Sequence, residues 1–147
     1  MTRIIVFVLL ITGIHANSQN PVKWTFTAKK IADRTYEIHL TAALPSPWSI
    51  YSQSTPDGGP VATSIRFSKN PLLILDGKIK EIGILKKKHE KVFGVDVLYY
   101  NSNVEFVQVI KLKNNIKTNI SGIIEFMVCD EEQCLPPEEV AFSIKLQ

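Results

Sequence analysis

Two cysteines are the residues of this 147-residue chain whose type and spacing most clearly suggest chemistry. Four residues separate Cys129 from Cys134, which permits the close approach that a disulfide requires if the intervening chain forms a tight hairpin. If the chain is exported, it enters an oxidising compartment, where two nearby thiols normally pair. We therefore expect a disulfide. The spacing alone leaves open whether it exchanges with other thiols or closes the loop as a structural clasp.

The ring that this disulfide would close is short. Loop-closure entropy for such a ring stabilises a fold by only about 2 kcal/mol, against about 4.7 kcal/mol for a 100-residue loop. A purely structural disulfide would stabilise more if it joined distant strands, so the magnitude favours a working pair. Pro136 and Pro137 follow Cys134 and cannot donate to a sheet ladder. The pair is therefore predicted at the end of a strand and not in the middle of the core.

The sequence around both sulfurs is acidic, with carboxylates at Asp130, Glu131, Glu132 and Glu138. No Lys, Arg or His stands between Cys129 and Glu139. Negative neighbours disfavour the thiolate form of a cysteine. A couple whose reduced form is not stabilised gives electrons away, which is the opposite of a strong disulfide-forming oxidant.

Alternating apolar and polar residues predict that the elements positioning this pair are β-strands. The pattern is clear in Val22–Ala28, Tyr36–Ala42 and Val140–Leu146. Further strand candidates are Ser49–Ser52, Ser64–Phe67, Leu72–Leu75, Val95–Tyr99, Val104–Leu112 and Ile123–Cys129. Turn residues such as Asp33-Arg34, Pro45-Ser46-Pro47 and Asp76-Gly77 separate them. Eight or nine short strands at this spacing predict one all-β domain, a two-sheet antiparallel sandwich.

Residues 1–18 have the pattern of a secretory signal peptide. Arg3 precedes the apolar run Ile4–Ile11, and small residues follow up to Ser18, where cleavage is expected. The run is shorter than the roughly 20 residues that span a bilayer. The alternative is a buried N-terminal strand. Cleavage would leave residues 19–147 as a soluble periplasmic or secreted domain without a transmembrane segment.

Composition excludes several function classes. The net charge is +3, one unit of which belongs to Arg3, so neither nucleic acid nor a membrane surface is indicated as a partner. The basic run Lys86–Lys88 is interpreted as a solvated loop, the alternative being a binding patch. His39 and His89 are far from the cysteines in sequence, so we expect neither a metal nor another cofactor. No serine lies in a nucleophile motif, which disfavours a hydrolase.

The segment Cys129-Asp130-x-x-x-Cys134-Leu135-Pro136-Pro137-Glu138 resembles the redox hairpin of the N-terminal periplasmic domain of the DsbD protein-disulfide reductase family. The resemblance implies an immunoglobulin-like fold and a cysteine pair that takes electrons from a membrane domain and passes them to periplasmic partners. Trp48–Gln53 is similar to the family's aromatic strand beside the disulfide. Trp48 and Tyr51 are therefore either a wall of the site or part of the sandwich core.

Glu90–Gly94 is similar to the family's cap loop, which covers the cysteines until a partner docks. The resemblance thus implies that Val92, Phe93 and Gly94 shield the disulfide. Val92 stands where the family usually has an aromatic residue, and the cysteine spacing is one residue shorter than in the best-known members. No membrane domain or thioredoxin-like domain follows before Gln147. We therefore expect the electron donor to be a membrane protein on another chain.

Two functions remain after these arguments. The first is a stand-alone thiol–disulfide exchange module, in which Cys129 and Cys134 cycle between dithiol and disulfide with thioredoxin-like periplasmic partners. The second is a non-catalytic binding or interaction domain that keeps the fold and uses the disulfide as a clasp. The sequence does not distinguish which sulfur is attacked first.

Overall fold

A computed structural model describes residues 20–91 and 93–147. Within them the chain forms eleven strands and no helix. The strands are β1 (Lys23–Ala32), β2 (Thr35–Ala43), β3 (Ser49–Tyr51), β4 (Ser64–Phe67), β5 (Leu73–Ile82), β6 (Lys86–Glu90), β7 (Val95–Tyr100), β8 (Val104–Leu112), β9 (Thr118–Phe126), β10 (Val128–Cys129) and β11 (Glu138–Leu146). None of the described residues lies in a helix able to cross a bilayer. The predicted signal peptide falls outside them.

The strands pair antiparallel in three sheets, in the orders β1-β2-β8-β5, β11-β9-β4 and β10-β3-β7-β6. The first two sheets pack across one hydrophobic core, to which the third contributes Ile50, Tyr100 and Val128. Aromatic rings join the sheets, since the Trp24 and Phe126 ring centroids lie 5.3 Å apart. Alternating side chains of β2 are buried, as its period-2 pattern predicts. The all-β antiparallel sandwich is thus confirmed, although the described residues form eleven strands in three sheets and not the predicted eight or nine strands in two.

Two local predictions were wrong. Asp76-Gly77 is not a turn between strands but lies inside β5, at a register shift between Asp76 and Lys80. Gly77 has φ +72° there, a conformation that suits a bulge and that glycine adopts without strain. Lys86–Lys88 is not a loop but the first part of β6, which pairs with β7. An edge strand can carry consecutive charged residues because one of its edges and much of its surface face water.

A half-buried carboxylate ties β5 to the sheet that holds β10. Glu81 of β5 accepts hydrogen bonds from the Ser52 hydroxyl, the Gln53 backbone N–H and the Tyr100 hydroxyl, each at 2.7 Å. Burial, with the neighbouring Glu81 carboxylate, raises the pKa of Tyr100, so its hydroxyl stays a donor. Glu81 therefore ties β5 to the end of β3 and to β7, both of which belong to the sheet that holds β10.

Candidate functional site: the disulfide hairpin

Cys129 and Cys134 form a disulfide with a Cα–Cα distance of 4.0 Å, and they are paired as an antiparallel bridge. Cys129 ends β10 and lies opposite Ser49 of β3. The Leu135 N–H donates to the Val128 carbonyl at 2.9 Å, after which the ladder stops before the two prolines. The pair thus lies at the end of a strand, as Pro136 and Pro137 predicted.

The turn between the cysteines is held by its own hydrogen bonds. The Asp130 N–H donates to the Gln133 carbonyl at 2.9 Å, and the Asp130 carboxylate accepts the N–H groups of Glu132 and Gln133 at 2.8 and 2.7 Å. These bonds, chiefly the one from Gln133, lower the pKa of Asp130, so it stays ionised and keeps the turn closed. The hairpin therefore has its shape from the backbone and Asp130 as well as from the disulfide.

The two cysteines differ strongly in exposure. Cys129 is only 3% exposed and packs in a small cluster with Tyr51 and Val97, whereas Cys134 is exposed. The difference follows from topology, because Cys129 is on the arm that pairs with β3 while Cys134 is on the free arm. A thiol-bearing partner can therefore approach Cys134 more readily than Cys129.

The side chains that pack around Cys129 are uncharged, and Tyr51 is the largest of those that are buried. Burial, with a smaller contribution from the charge of Glu90, raises the pKa of Tyr51 to about 12. Its hydroxyl therefore stays neutral over the whole physiological range. Tyr99, Met127 and Val95 pack against the same cluster from its partly buried rim. Tyr51 thus packs in the same cluster as Cys129, whereas Trp48 packs against the main core.

A cleft of about 300 Å³ lies beside the disulfide and is lined by Lys88, Glu90, Phe93, Cys129, Cys134 and the residues between the cysteines. Phe93 comes from the turn that joins β6 to β7, where the Glu90 carbonyl accepts the N–H groups of Phe93 and Gly94. Gly94 has φ +67°, which lets the chain turn back into β7. Phe93 is 40% exposed, and Val92 lies outside the described residues.

Lys88 and Glu90 line this cleft and were not predicted from the sequence. They lie on the same face of β6, two positions apart, and their charged groups pair at 2.9 Å. The Lys88 ammonium also lies 5.3 Å from the centre of the Tyr99 ring. The prediction of a loop at Lys86–Lys88 gave no face on which these two residues would meet. In a strand, alternating residues share a face, which places Lys88 and Glu90 together. Since Glu90 neutralises Lys88, the carboxylates of the hairpin still dominate the cleft.

No protein-family model matches the sequence, and no curated protein matches it significantly. Among solved structures, the reduced N-terminal domain of DsbD from Neisseria meningitidis is similar, with a TM-score of 0.52 and 15% identity over 82% of this chain and 83% of that chain. The N-terminal periplasmic domain of ScsB from Proteus mirabilis has a TM-score of 0.54 and 21% identity. The match covers 82% of this chain and 44% of that chain. The chain therefore has the immunoglobulin-like fold of these DsbD and ScsB N-terminal domains.

Proposed function

We propose that this chain is a thiol–disulfide exchange module of the DsbD N-terminal type, working through Cys129 and Cys134. The observation that carries the proposal is the disulfide itself, closed over a turn that its own hydrogen bonds already hold. A clasp adds little there, because a five-residue separation restricts the unfolded chain by only about 2 kcal/mol. One buried and one exposed sulfur beside an open cleft is, by contrast, an arrangement suited to exchange.

The exchange starts at Cys134. A thiolate of a thioredoxin-like dithiol partner attacks the Cys134 sulfur, the bond to Cys129 breaks, and the Cys129 sulfur leaves with the electron pair and takes up a proton. The partner's second cysteine then loses its proton and attacks the partner's own sulfur in the mixed disulfide, and the Cys134 sulfur leaves with the electron pair and takes up a proton. Two thiols on this chain and one disulfide on the partner result, so two electrons and two protons have moved. In reverse, the Cys134 thiolate attacks a partner's disulfide and Cys129 resolves the intermediate.

The charges beside the cleft favour electron donation by the reduced module. Asp130, Glu131 and Glu132 line it, and the one lysine in its lining is paired with Glu90. Negative charge disfavours a thiolate on either sulfur, and a reduced form without that stabilisation passes its electrons on. A membrane protein on another chain would supply those electrons, and the signal peptide of residues 1–18 would bring the module to the periplasm.

The direct test is exchange with a reduced thioredoxin. We expect the oxidised protein to consume one equivalent of reduced thioredoxin and to release two thiols, counted by alkylation and mass spectrometry. The count is unambiguous because the chain has two cysteines in all. A disulfide that persists in excess reduced thioredoxin, while the protein is folded, would favour the clasp.

Phe93 is proposed to shield the disulfide together with Val92. Replacing Phe93 by alanine should speed reduction of the disulfide by a small thiol several-fold, since removing about 1 kcal/mol of apolar contact corresponds to roughly a fivefold change. The rate can be followed by quenched alkylation, with unchanged circular dichroism showing that the domain is folded.

Ile116→Ala is the matched control for Phe93→Ala. Ile116 is 41% exposed, close to Phe93, and lies in the loop before β9, at the opposite end of that strand from the cysteines. We expect a small thiol to reduce the disulfide of Ile116→Ala at the same rate as that of the unaltered protein. If Phe93→Ala and Val92→Ala also leave the rate unchanged, the proposed cap does not exist.

A further inference from the structure

A second concave site lies at the opposite edge of the sandwich from β1 and β11. There β4 ends one sheet and β5 ends the facing sheet. Two clefts of about 490 Å³ each lie along this edge and share Phe67 and Leu75 in their linings. Because they share these two side chains, we treat them as one groove, here called the edge groove. The remaining apolar lining residues are Ile65, Pro71, Leu73, Ile79 and Ile120.

The groove exists because the two facing strands differ in length. Leu75 pairs with Ile110, a buried core residue, so both side chains lie on the inner face of their sheet. Leu75 is nevertheless 48% exposed. The facing edge strand β4 has only four residues, against ten in β5, and leaves inward-facing side chains of β5 uncovered. An apolar surface that the fold turns inward but does not cover is suited to binding an apolar group.

The rim of the edge groove is cationic. Lys69, Lys78 and Lys113 line it, whereas no Asp or Glu among the described residues does so. Within that part of the chain, none of these three lysines has a carboxylate partner within 4.0 Å. The contrast with the disulfide cleft is clear, because that cleft has one paired lysine and three hairpin carboxylates. An occupant of the edge groove would therefore combine an apolar body with a negative end.

We propose that the edge groove binds a single-chain anionic amphiphile, a long alkyl chain that ends in a carboxylate. The alkyl chain lies along Phe67 and Leu75, and the carboxylate lies at Lys69 and Lys113, which line the same cleft. This site is separate from the redox hairpin and does not depend on the function proposed for it.

Dodecanoate, tested below its micelle concentration against a fluorescent fatty-acid probe, measures this binding on the full oxidised chain. We expect dodecanoate to displace the probe and dodecyltrimethylammonium, which has the same chain and the opposite charge, to displace it at least about tenfold less well. Replacing Lys69, Lys78 and Lys113 by glutamine should weaken the binding of dodecanoate. The binding of dodecanol, which is uncharged, should stay the same. Equal displacement by the two charged amphiphiles, or none by dodecanoate, would overturn the proposal.

Adjacent residues of β5 provide a matched pair of variants. Leu75→Glu places a carboxylate in the groove and should weaken dodecanoate binding by about tenfold or more. Ile74→Glu adds the same charge at a residue of nearly equal exposure, 47%, on the outer face beside Lys111. It should leave dodecanoate binding within twofold of the unaltered protein. Equal weakening by both variants would place the amphiphile elsewhere and contradict the assignment, and thermal melting shows whether each variant is folded.

Discussion

A protein in which Cys129 is replaced by serine is expected to capture a thioredoxin-like partner as a stable mixed disulfide through Cys134. The reason is that Cys134 is exposed at the cleft, whereas Cys129, which would otherwise resolve the intermediate, is gone. The partner should carry one cysteine only, activated as its mixed disulfide with thionitrobenzoate, so that the Cys134 thiolate displaces thionitrobenzoate and no second cysteine can resolve the bond. Non-reducing gels and mass spectrometry identify the adduct and the sulfur that carries it.

Cys134→Ser is the matched variant for this experiment. Its remaining thiol, Cys129, is 3% exposed, so reaction requires local opening of the hairpin. Opening that costs about 1.4 kcal/mol or more slows adduct formation by about tenfold or more. Equal rates of adduct formation in the two variants would contradict the assignment of Cys134 as the sulfur that bonds to the partner.

Replacing both cysteines by serine is expected to abolish exchange completely and to leave the domain folded. The free energy of unfolding should fall by only about 2 kcal/mol, because the disulfide closes a short ring. The turn also keeps the hydrogen bonds of Asp130 and the Leu135–Val128 backbone bond. Denaturant unfolding followed by circular dichroism gives the loss of stability.

Failure of this double variant to fold would favour a structural disulfide. If it fails to fold, while the unaltered protein shows no exchange with reduced thioredoxin, the disulfide is a clasp. The interaction-domain interpretation would then replace the exchange module. Asp130→Ala in the oxidised protein is the control that measures the contribution of the turn's hydrogen bonds to stability. It removes the carboxylate of the turn and leaves the disulfide in place.

Much of the hairpin could be predicted from local sequence. The cysteine spacing and Pro136-Pro137 fix a strand end and a short ring, because both are properties of the chain within a few residues. The alternation of β2 gives its buried face for the same reason. The asymmetry between Cys129 and Cys134 could not be predicted, since it depends on pairing between β10 and β3, nearly eighty residues apart along the chain.

Other features depend on tertiary structure in the same way. The charged sequence of β6 is compatible with a loop until β7 is placed beside it, so the Lys88–Glu90 pair was not found. Leu75 has the pattern of a core residue, and its exposure follows from where β4 ends. Trp48 and Tyr51 lie close in sequence, yet Trp48 packs in the main core and Tyr51 packs beside Cys129.

The reduction potential of the Cys129–Cys134 pair distinguishes an exchange module from a structural clasp. It can be measured on the folded protein by equilibration with dithiol buffers of known potential, followed by alkylation of the free thiols. An exchange module should have a potential above about −300 mV, within reach of thioredoxin at about −270 mV. A potential well below about −300 mV, typical of inert structural disulfides, would contradict the account.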